Sequence, residues 1–354
     1  MASLNLSAAL NVSNSTSCPE GEFWGWLYTF LPAYIMVVCV SGLLGNIFVL
    51  LVLCLHKNRC TVPEIYLVNL AGADLLLLTC LPFWALNIAQ RFAWPFGELL
   101  CRYVNLAIYI NLWSSIYFLV MVSVDRYLAL VKVLNPGRIR TRSCAKINCC
   151  LIWVFSLVMS SPAFMFRRVV HVPHLNISAC LLEYPGPSWQ RNSEIVFLVA
   201  VFLIPVLALT FFTTRIMGAL RNDRMQIFKQ VRKESRAATL ILVVLLAFLI
   251  CWVPFQVFRV LTLFYEVKML RGCGWANALR NGTLMATFLG CTNSCINPVL
   301  YVMVGRQFRN KAREFYSQSV ARRQSQLTFR DTSVTHNTPI STLERRSPLH
   351  TTQR

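Results

Sequence analysis

The sequence has few charged residues, and none of the basic ones lies near its start. Only 14% of the 354 residues are charged, against 56% that are hydrophobic, and no Lys or Arg precedes Lys57. Soluble domains typically carry about a quarter of their residues as charges, so this composition is typical of a membrane protein. The start also lacks the basic region of a secretory signal peptide, and we expect the first apolar run to serve as its own insertion signal.

Motifs of membrane enzymes and signs of a transport pathway are missing as well. The sequence contains no HExxH or GxSxG constellation, so we predict no catalytic residue. It has no inverted repeat and, beyond Asp74, no charged pathway through the spans, which argues against a transporter or channel. The basic residues flank apolar runs instead of lining one surface, so nucleic acid is not an expected partner.

Seven apolar segments are long enough to cross a bilayer as helices. An N-terminus outside the cell places nine of the 34 Lys and Arg residues outside and the remaining 25 on the cytoplasmic side, as the positive-inside rule requires. We therefore predict an all-α, multi-pass membrane protein with its N-terminus extracellular. The spans cover roughly residues 29–55, 65–89, 101–125, 147–166, 193–217, 238–264 and 279–304.

The chain is predicted to hold one membrane domain with a cytoplasmic helix and tail. Residues 29–304 form the seven-transmembrane helix bundle. Residues 305–316 predict a short amphipathic cytoplasmic helix on the inner leaflet, because Phe308 and Phe315 share one helical face among basic residues. Residues 317–354 are polar and rich in Ser, Thr and Arg, which predicts a disordered cytoplasmic tail.

The predicted outer side carries signs of glycosylation. Residues 1–28 are rich in Ser and Asn and contain sequons at Asn5, Asn11 and Asn14. A further sequon lies at Asn176, in the second outer loop. Clustered sequons on the predicted outside favour an extracellular, glycosylated N-terminal tail.

Four of the fourteen cysteines lie on the predicted outer side, in an oxidising compartment. We predict two disulfides, Cys101 with Cys180 and Cys18 with Cys273. The alternative is that these cysteines are free thiols. The other ten lie in spans or on the cytoplasmic side and are expected to stay reduced.

One or two motifs in each span resemble those of the rhodopsin-like (class A) G-protein-coupled receptors. Within that family the chain is similar to the kinin (bradykinin) receptors, through runs such as WGWLYTFLP, CTVPEIYLVNLAGADL, LPFWALNIAQRFAWPFGELLCR and VPHLNISAC. The class A motifs are Gly45-Asn46, the LAGAD run ending at Asp74, Cys101, Asp125-Arg126-Tyr127, Trp153, Pro205, CWVP at 251–254 and NPVLY at 297–301.

The resemblance implies a plasma-membrane receptor for a kinin-like peptide. Its expected partner is a heterotrimeric G protein, of the Gq, phospholipase C and calcium branch. Receptor kinases, arrestin and membrane lipids are further expected partners. The alternatives are a receptor for another short peptide, of the angiotensin or chemokine-like group, and a scavenging receptor that does not couple. The intact Asp125-Arg126-Tyr127 argues against the second alternative.

The resemblance also assigns residues to a conformational switch. In the resting state Arg126 is expected to be held by Asp125, and to meet the G protein when the sixth span swings outward. Trp252 is expected to act as a toggle beneath the ligand, with Pro254 as a kink; the alternative is a packing Trp. The predicted switch residues are Asp125, Arg126, Tyr127, Asn297, Pro298 and Tyr301.

A polar cluster in the spans matches the positions where related receptors hold a sodium ion. A buried carboxylate with hydroxyls and amides supplies the oxygen ligands that such a cation needs. The alternative is a polar network that holds only water and couples helices. The predicted sodium residues are Asp74, Asn111, Ser115, Asn293, Ser294 and Asn297; we expect no other cofactor.

The ligand pocket is expected among the outer ends of the spans. A kinin has arginine at its ends and a free carboxylate, so basic and acidic residues at the mouth should read opposite groups. Arg259 and one of Arg167 and Arg168 are expected to read carboxylates, and Glu194 an arginine; the alternative is that they are rim charges of little value. The predicted pocket residues are Trp84, Asn105, Tyr109, Arg167, Arg168, Glu194, Gln256, Arg259 and Arg280.

Overall fold

The structure is a computed structural model that describes residues 25–55, 59–131, 140–173, 176–221, 231–304, 308–318 and 320. The predicted glycosylation sites Asn5, Asn11 and Asn14 lie outside the described residues, as does Cys18. The cytoplasmic tail beyond residue 320 lies outside them too.

Seven long helical spans form the molecule, which confirms the predicted all-α membrane fold. Six contain an apolar window long enough to cross a bilayer, and the seventh helix has 32 residues. Some helices extend beyond the predicted apolar segments, because the backbone hydrogen bonds of a helix also form outside the bilayer. For example, α7 begins at Val231, seven residues before its predicted span. The single-helix spans are α1 (Leu27–Cys54), α2 (Val62–Ala89), α3 (Gly97–Leu130), α4 (Arg142–Met165), α7 (Val231–Glu266) and α8 (Cys273–Val304).

The fifth span is built from three consecutive segments. Helix α5 (Pro187–Phe197) leads into a π-helical turn (Leu198–Leu203), which is followed by α6 (Ile204–Arg221). Pro205 lies at the junction and has no N–H to donate to the carbonyl four residues earlier. The wider π turn occurs where that hydrogen bond is missing, and it rotates the residues of α5 relative to those of α6.

Two helices begin at polar caps on the predicted cytoplasmic side. Thr61 and Glu64 form a capping box at the start of α2, and the Thr61 N–H donates to Glu64 Oε2 at 2.8 Å. Thr141 caps α4, where its hydroxyl accepts from the Cys144 N–H at 3.1 Å. These caps satisfy backbone groups that the membrane edge would leave without partners.

A two-stranded hairpin lies between α4 and α5. Strand β1 (Arg167–Val172) pairs antiparallel with β2 (Ile177–Leu182), and Val169 is opposite Cys180. The predicted disulfide between Cys101 and Cys180 is confirmed, and it ties β2 to the first turns of α3. The hairpin is thereby fixed over one end of the bundle.

The remaining predicted outer sites are only partly described. Cys273 is disulfide-bonded, and its predicted partner Cys18 lies outside the described residues. Asn176, which carries the sequon of the second outer loop, is exposed in the turn of the hairpin. Glycosylation there stays a prediction.

A ninth helix, α9, covers residues 308–318 and packs back on the predicted cytoplasmic end of the bundle. Phe308 is buried, and its ring lies 6.0 Å from that of Phe48 in an edge-to-face arrangement. Lys311 donates to Glu64 Oε2 at 2.8 Å, which joins α9 to the cap of α2. One face of α9 is therefore held by protein, while Arg313 stays exposed.

Candidate functional site

A cavity of about 350 Å³ lies at the hairpin end of the bundle. Its walls are mainly aromatic, and Trp113 and Phe197 meet edge to face at 5.9 Å between ring centroids. A concave, largely apolar space with a few polar groups is the usual form of a ligand site. The lining includes Tyr109, Trp113, Pro162, Ala163, Leu182, Tyr184, Asn192, Glu194, Phe197 and Arg259.

Three of the predicted pocket residues line this cavity, and two of them pair with each other. Arg259 donates to Glu194 Oε2, which joins α7 to α5. The Arg259 guanidinium also lies 4.0 Å from the centre of the Phe197 ring, a cation–π contact. Tyr109 is the third lining residue. Arg259 is predicted to bind a ligand carboxylate, and Glu194 a ligand arginine. In this structure the two side chains form an ion pair with each other instead.

Arg167 is a buried cation at the edge of the cavity. Its side chain has no solvent exposure, and Nη1 donates to the Cys180 carbonyl at 3.3 Å. Nε and Nη2 make no hydrogen bond of full geometry among the described residues, and the Tyr109 hydroxyl is the side-chain group that interacts with the guanidinium. Burial lowers the pKa of its guanidinium below the ordinary value, and the adjacent Tyr109 and Tyr184 oppose that shift. Arg167 therefore brings unsatisfied positive charge beside two cavity-lining phenols.

Arg168 and Arg280 lie differently from Arg167. Arg168 is exposed on the hairpin, since neighbouring side chains of a strand point to opposite faces. Arg280 is half-buried in α8, where Nη2 donates to Asn277 Oδ1 at 3.3 Å.

Three other predicted pocket residues are buried between helices. Trp84 packs against Trp94, with ring centroids 6.3 Å apart. Asn105 donates to the Cys101 carbonyl at 2.7 Å, below the disulfide. Gln256 is buried in α7, and neither its amide oxygen nor its nitrogen has a partner among the described residues.

Trp252 lies below the cavity in a cluster of rings. Its ring centroid is 5.9 Å from that of Phe255 and 6.4 Å from that of Phe248. On the α8 side it lies against Gly290, where an added Cβ would be 3.1 Å from the indole. The absence of a side chain at Gly290 thus leaves the space that the indole occupies.

Asp74 is the centre of a fully buried polar cluster. Its Oδ1 accepts from Ser294 at 2.7 Å, Asn111 at 3.1 Å and Ser115 at 3.4 Å. Its Oδ2 accepts from Asn297 Nδ2 at 3.0 Å. Four of the five predicted neighbours therefore contact this carboxylate. The fifth, Asn293, is buried without a recorded hydrogen bond to Asp74.

Asp125 is the centre of a second cluster, at the other end of α3. Arg140, just before α4, binds it through two hydrogen bonds, Nε to Oδ1 at 2.8 Å and Nη2 to Oδ2 at 3.4 Å. Arg126 Nε lies 3.9 Å from Oδ2. Asp125 is only 3% exposed, so both cations offset the cost of its burial. The shorter contact belongs to Arg140 and not to the adjacent Arg126.

The other predicted switch residues lie in α3 next to Asp125 and in α8 from Asn297 onward. Tyr127 packs against Phe212 of α6, with ring centroids 5.3 Å apart. Tyr301 is buried in α8, and its hydroxyl has no partner among the described residues. Pro298 lies against α1 at Gly45, where an added Cβ would be 3.0 Å from the proline ring. Buried residues thus continue along α8 from the Asp74 cluster through Pro298 to Tyr301.

Three residues of the cavity and of the Asp125 cluster were not predicted from the sequence. Arg140 lies 15 residues from Asp125 in a basic loop, where no periodicity distinguishes it from Arg142. Tyr184 and Phe197 line the cavity because of the hairpin and the π turn, neither of which the apolar pattern indicates. The one signal that could have indicated Tyr184 is an aromatic residue four positions after the outer Cys180.

Comparisons with known proteins agree with this architecture. The model of the 7 transmembrane receptor (rhodopsin family) matches residues 45–301. The chain is 46% identical to the B2 bradykinin receptor of Oryctolagus cuniculus over 315 residues, covering 88% of this chain and 86% of that protein. It is 46% identical to the B2 bradykinin receptor of Homo sapiens over 303 residues, or 85% and 78% of the two chains. With the B1 bradykinin receptor of Tupaia minor it shares 43% identity over 323 residues, or 90% and 91%.

Proposed function

Because the chain belongs to the rhodopsin family of seven-transmembrane receptors, we propose that it is a plasma-membrane receptor for a kinin peptide. The N-terminus lies outside, and the peptide binds in the cavity beneath the hairpin. Binding activates a heterotrimeric G protein of the Gq, phospholipase C and calcium branch. The bradykinin receptors named above are similar over most of this chain, which supports the ligand class.

The observation that carries this proposal is the buried Arg167. A buried cation without a carboxylate is costly, and the described residues offer this guanidinium a carbonyl and the neutral Tyr109 phenol. A peptide that ends in a free carboxylate supplies the missing charge and accepts both N–H groups in a bidentate contact. Tyr109 and Tyr184 lie beside Arg167 and line the cavity, so the carboxylate reaches it from that space.

The test compares bradykinin that carries a free C-terminus with the same peptide amidated. Cells that express the chain should release calcium in response to the free acid. Amidation should weaken binding to the unmodified receptor by about tenfold or more, since a charge-assisted contact is lost. In Arg167→Gln the two peptides should bind equally.

Arg168→Gln is the matched control. It removes the neighbouring charge from an exposed position and should keep the full amidation penalty. Arg167→Lys keeps the positive charge but not the planar guanidinium, so it should restore part of the amidation penalty that is lost in Arg167→Gln. Surface staining of each variant separates misfolding from lost recognition. An amidation penalty that persists unchanged in Arg167→Gln would contradict the assignment.

The Asp74 cluster is proposed to hold a sodium ion. The residues fit a small hard cation, because Asp74, Ser115 and Ser294 offer carboxylate and hydroxyl oxygens around one point. Asn297 Oδ1 is buried without a hydrogen-bond partner among the described residues and supplies a further oxygen. A cation there would neutralise Asp74 and stabilise one arrangement of α2, α3 and α8.

The Asp125 cluster is proposed to be the end that couples to the G protein. Arg126 is the group that meets the partner, while Asp125 and Arg140 hold its surroundings in place. Trp252 packs against Phe255 of α7 and lies against Gly290 of α8, four residues before Ser294 of the Asp74 cluster. Its movement is the proposed link between peptide binding and the cytoplasmic end.

Receptor kinases and arrestin are the proposed partners of the cytoplasmic tail. Phosphate adds about −1.5 to −2 charges per site to a basic segment, which creates an acidic surface for an adaptor. Membrane lipids are the proposed partners of the exposed basic face of α9. Truncation after Tyr316 should slow internalisation and spare the first calcium response. The tail hydroxyls in question, Thr328, Thr332, Ser333, Thr335, Thr338, Ser341 and Thr342, lie outside the described residues.

A further inference from the structure

The cavity beneath the hairpin also reaches the side of the bundle, between α4 and α5. Its lining includes Met159 and Pro162 of α4 and Val196 of α5. Val196 is 45% exposed, so a side chain that lines the cavity also faces the outside of the bundle. Met159 lies six residues before the end of α4, or about 9 Å along the helix axis. That depth is within the hydrocarbon of a bilayer, so the cavity opens toward the predicted outer leaflet.

Aromatic side chains bound this lateral opening above and below. Toward the hairpin, the Phe166 ring after α4 lies 6.0 Å from the Trp189 ring of α5, measured between centroids. Deeper in the bundle, Tyr117 of α3 bridges the two spans. Its ring lies 5.1 Å from Phe155 of α4, and its hydroxyl donates to the Ala200 carbonyl of the π turn at 2.9 Å. The opening is therefore a bounded gap with apolar sides.

The inner end of the cavity carries positive charge. Arg167 follows the lining residue Ala163 by four positions, and its partner in the hairpin, Leu182, also lines the cavity. The buried Arg167 guanidinium has a carbonyl and the neutral Tyr109 phenol as its neighbours among the described residues. An anion that enters the cavity would therefore find a cation whose charge is not yet offset.

A donor without a partner also lines the cavity. Trp113 is 3% exposed, and its indole Nε1 has no hydrogen-bond partner among the described residues. The other charges in the lining, Arg259 and Glu194, form an ion pair and add no net charge. The space thus has a cationic, donor-rich inner end and an apolar outlet into the membrane. A complementary ligand has an anionic head that accepts hydrogen bonds and an apolar chain.

We propose that a long-chain fatty acid from the outer leaflet binds here, with its carboxylate at Arg167 and its chain leaving between α4 and α5. A single acyl chain partitions into membranes reversibly, with a constant of about 10⁴ M⁻¹, which concentrates the ligand at the opening. Lipid tails are as apolar as the side chains of the gap, so the head group decides the specificity. The fatty acid shares Arg167 with the proposed kinin site but does not require that a kinin binds.

The experiment uses the full-length receptor in phosphatidylcholine nanodiscs and a photoreactive oleate with a diazirine in the middle of its chain. We expect saturable labelling of α4 and α5 residues beside the opening, displaced by unlabelled oleate. Methyl oleate lacks the charge, and hexanoate lacks the chain that partitions into the membrane. Each should compete at least about tenfold more weakly than oleate. Cholesterol, another membrane lipid, should not displace the label.

Two variants test the two ends of the site. Arg167→Gln should lower the affinity for oleate by about tenfold, and the exposed Arg168→Gln should not change it. Val196→Trp places a large ring in the opening and should reduce labelling by a similar factor. Val158→Trp makes the same substitution at an exposed α4 position that is not among the described residues lining the cavity, and it should label normally. Thermal stability of each purified variant reports folding.

Each result has one meaning for the proposal. Labelling that is lost in folded Arg167→Gln and Val196→Trp supports it. Labelling that does not saturate, that persists in Arg167→Gln, or that methyl oleate displaces as well as oleate does would overturn it. Displacement by cholesterol and not by oleate would assign the opening to a sterol and overturn it as well. Failure of bradykinin to bind the same preparation bears on the proposed kinin function alone.

Discussion

Asp74 and Asp125 are both buried carboxylates of the bundle, but their surroundings differ. Asp74 accepts from two hydroxyls and two amides, none of which carries charge. Asp125 lies between two arginines, one of them in a two-pronged contact. The first carboxylate therefore keeps its negative charge within the cluster, and the second is neutralised by its neighbours.

The difference indicates what each cluster can respond to. Neutral dipoles satisfy the hydrogen bonds of a carboxylate without cancelling its charge, so a free cation still gains by binding there. Arginines cancel the charge, and two of them competing for one carboxylate can exchange when the helices shift. We therefore expect Asp74 to respond to ions and Asp125 to respond to helix movement.

Arg126→Ala should give the largest effect, because it removes the group proposed to meet the G protein. Agonist potency for calcium release should fall by about 100-fold, the upper end of typical coupling between sites, while peptide binding stays nearly unchanged. Radioligand binding and calcium release on the same cells check this expectation. Signalling at the unmodified level would reduce Arg126 to a structural partner of Asp125.

Asp74→Asn should abolish the response to sodium. In the unmodified receptor, raising sodium from zero to a physiological level should change agonist affinity by about fivefold. Potassium at the same ionic strength should not, which removes the effect of screening. The amide keeps the shape of the side chain, so Asp74→Asn should bind agonist equally in both salts.

Asp125→Asn serves as the matched variant for that measurement. It also converts a buried aspartate to an amide, but in the cluster that arginines neutralise. It should keep the sodium response. Loss of the response in both variants would mean that general destabilisation, and not an ion at Asp74, explains the first result.

Arg140→Ala should give the smallest effect. It leaves Asp125 to Arg126 alone, so we expect Arg126 to be held more tightly and basal and agonist-driven calcium release to weaken by about two- to fivefold, as for a partly exposed ion pair. Arg142→Ala, an exposed basic residue two positions later, is the control. Increased basal release in Arg140→Ala would show that Arg140 itself restrains the receptor.

The helices and one disulfide could be predicted because their causes are local or strongly patterned. A run of about 20 apolar residues must be helical in lipid, and a proline or a capping threonine acts within one turn. Cys101 begins the third predicted span and Cys180 lies in the second predicted outer loop, and both are on the oxidising side where disulfides form. The composition of each segment was sufficient for these features.

The partners of charged side chains could not be predicted in the same way. Arg259 and Glu194 are 65 residues apart, and each is equally suited to a ligand or to the other. Their pairing depends on how the π turn rotates α5, and no periodic pattern in the sequence indicates that rotation. Arg140 and Asp125 are likewise 15 residues apart, and Arg142 or Arg126 was equally suited to be the partner.

Helix α9 has a consequence for everything that follows it in the chain. Phe308 is packed against Phe48, and Lys311 is bound to Glu64 at the start of α2. The chain beyond residue 320 therefore follows a helix that is fixed beside the start of α2. A group attached to that chain is tethered to this point, and its effective concentration at this end of the bundle depends on the length of chain back to it. Removing Lys311 or Glu64 would alter that local concentration without changing any tail residue.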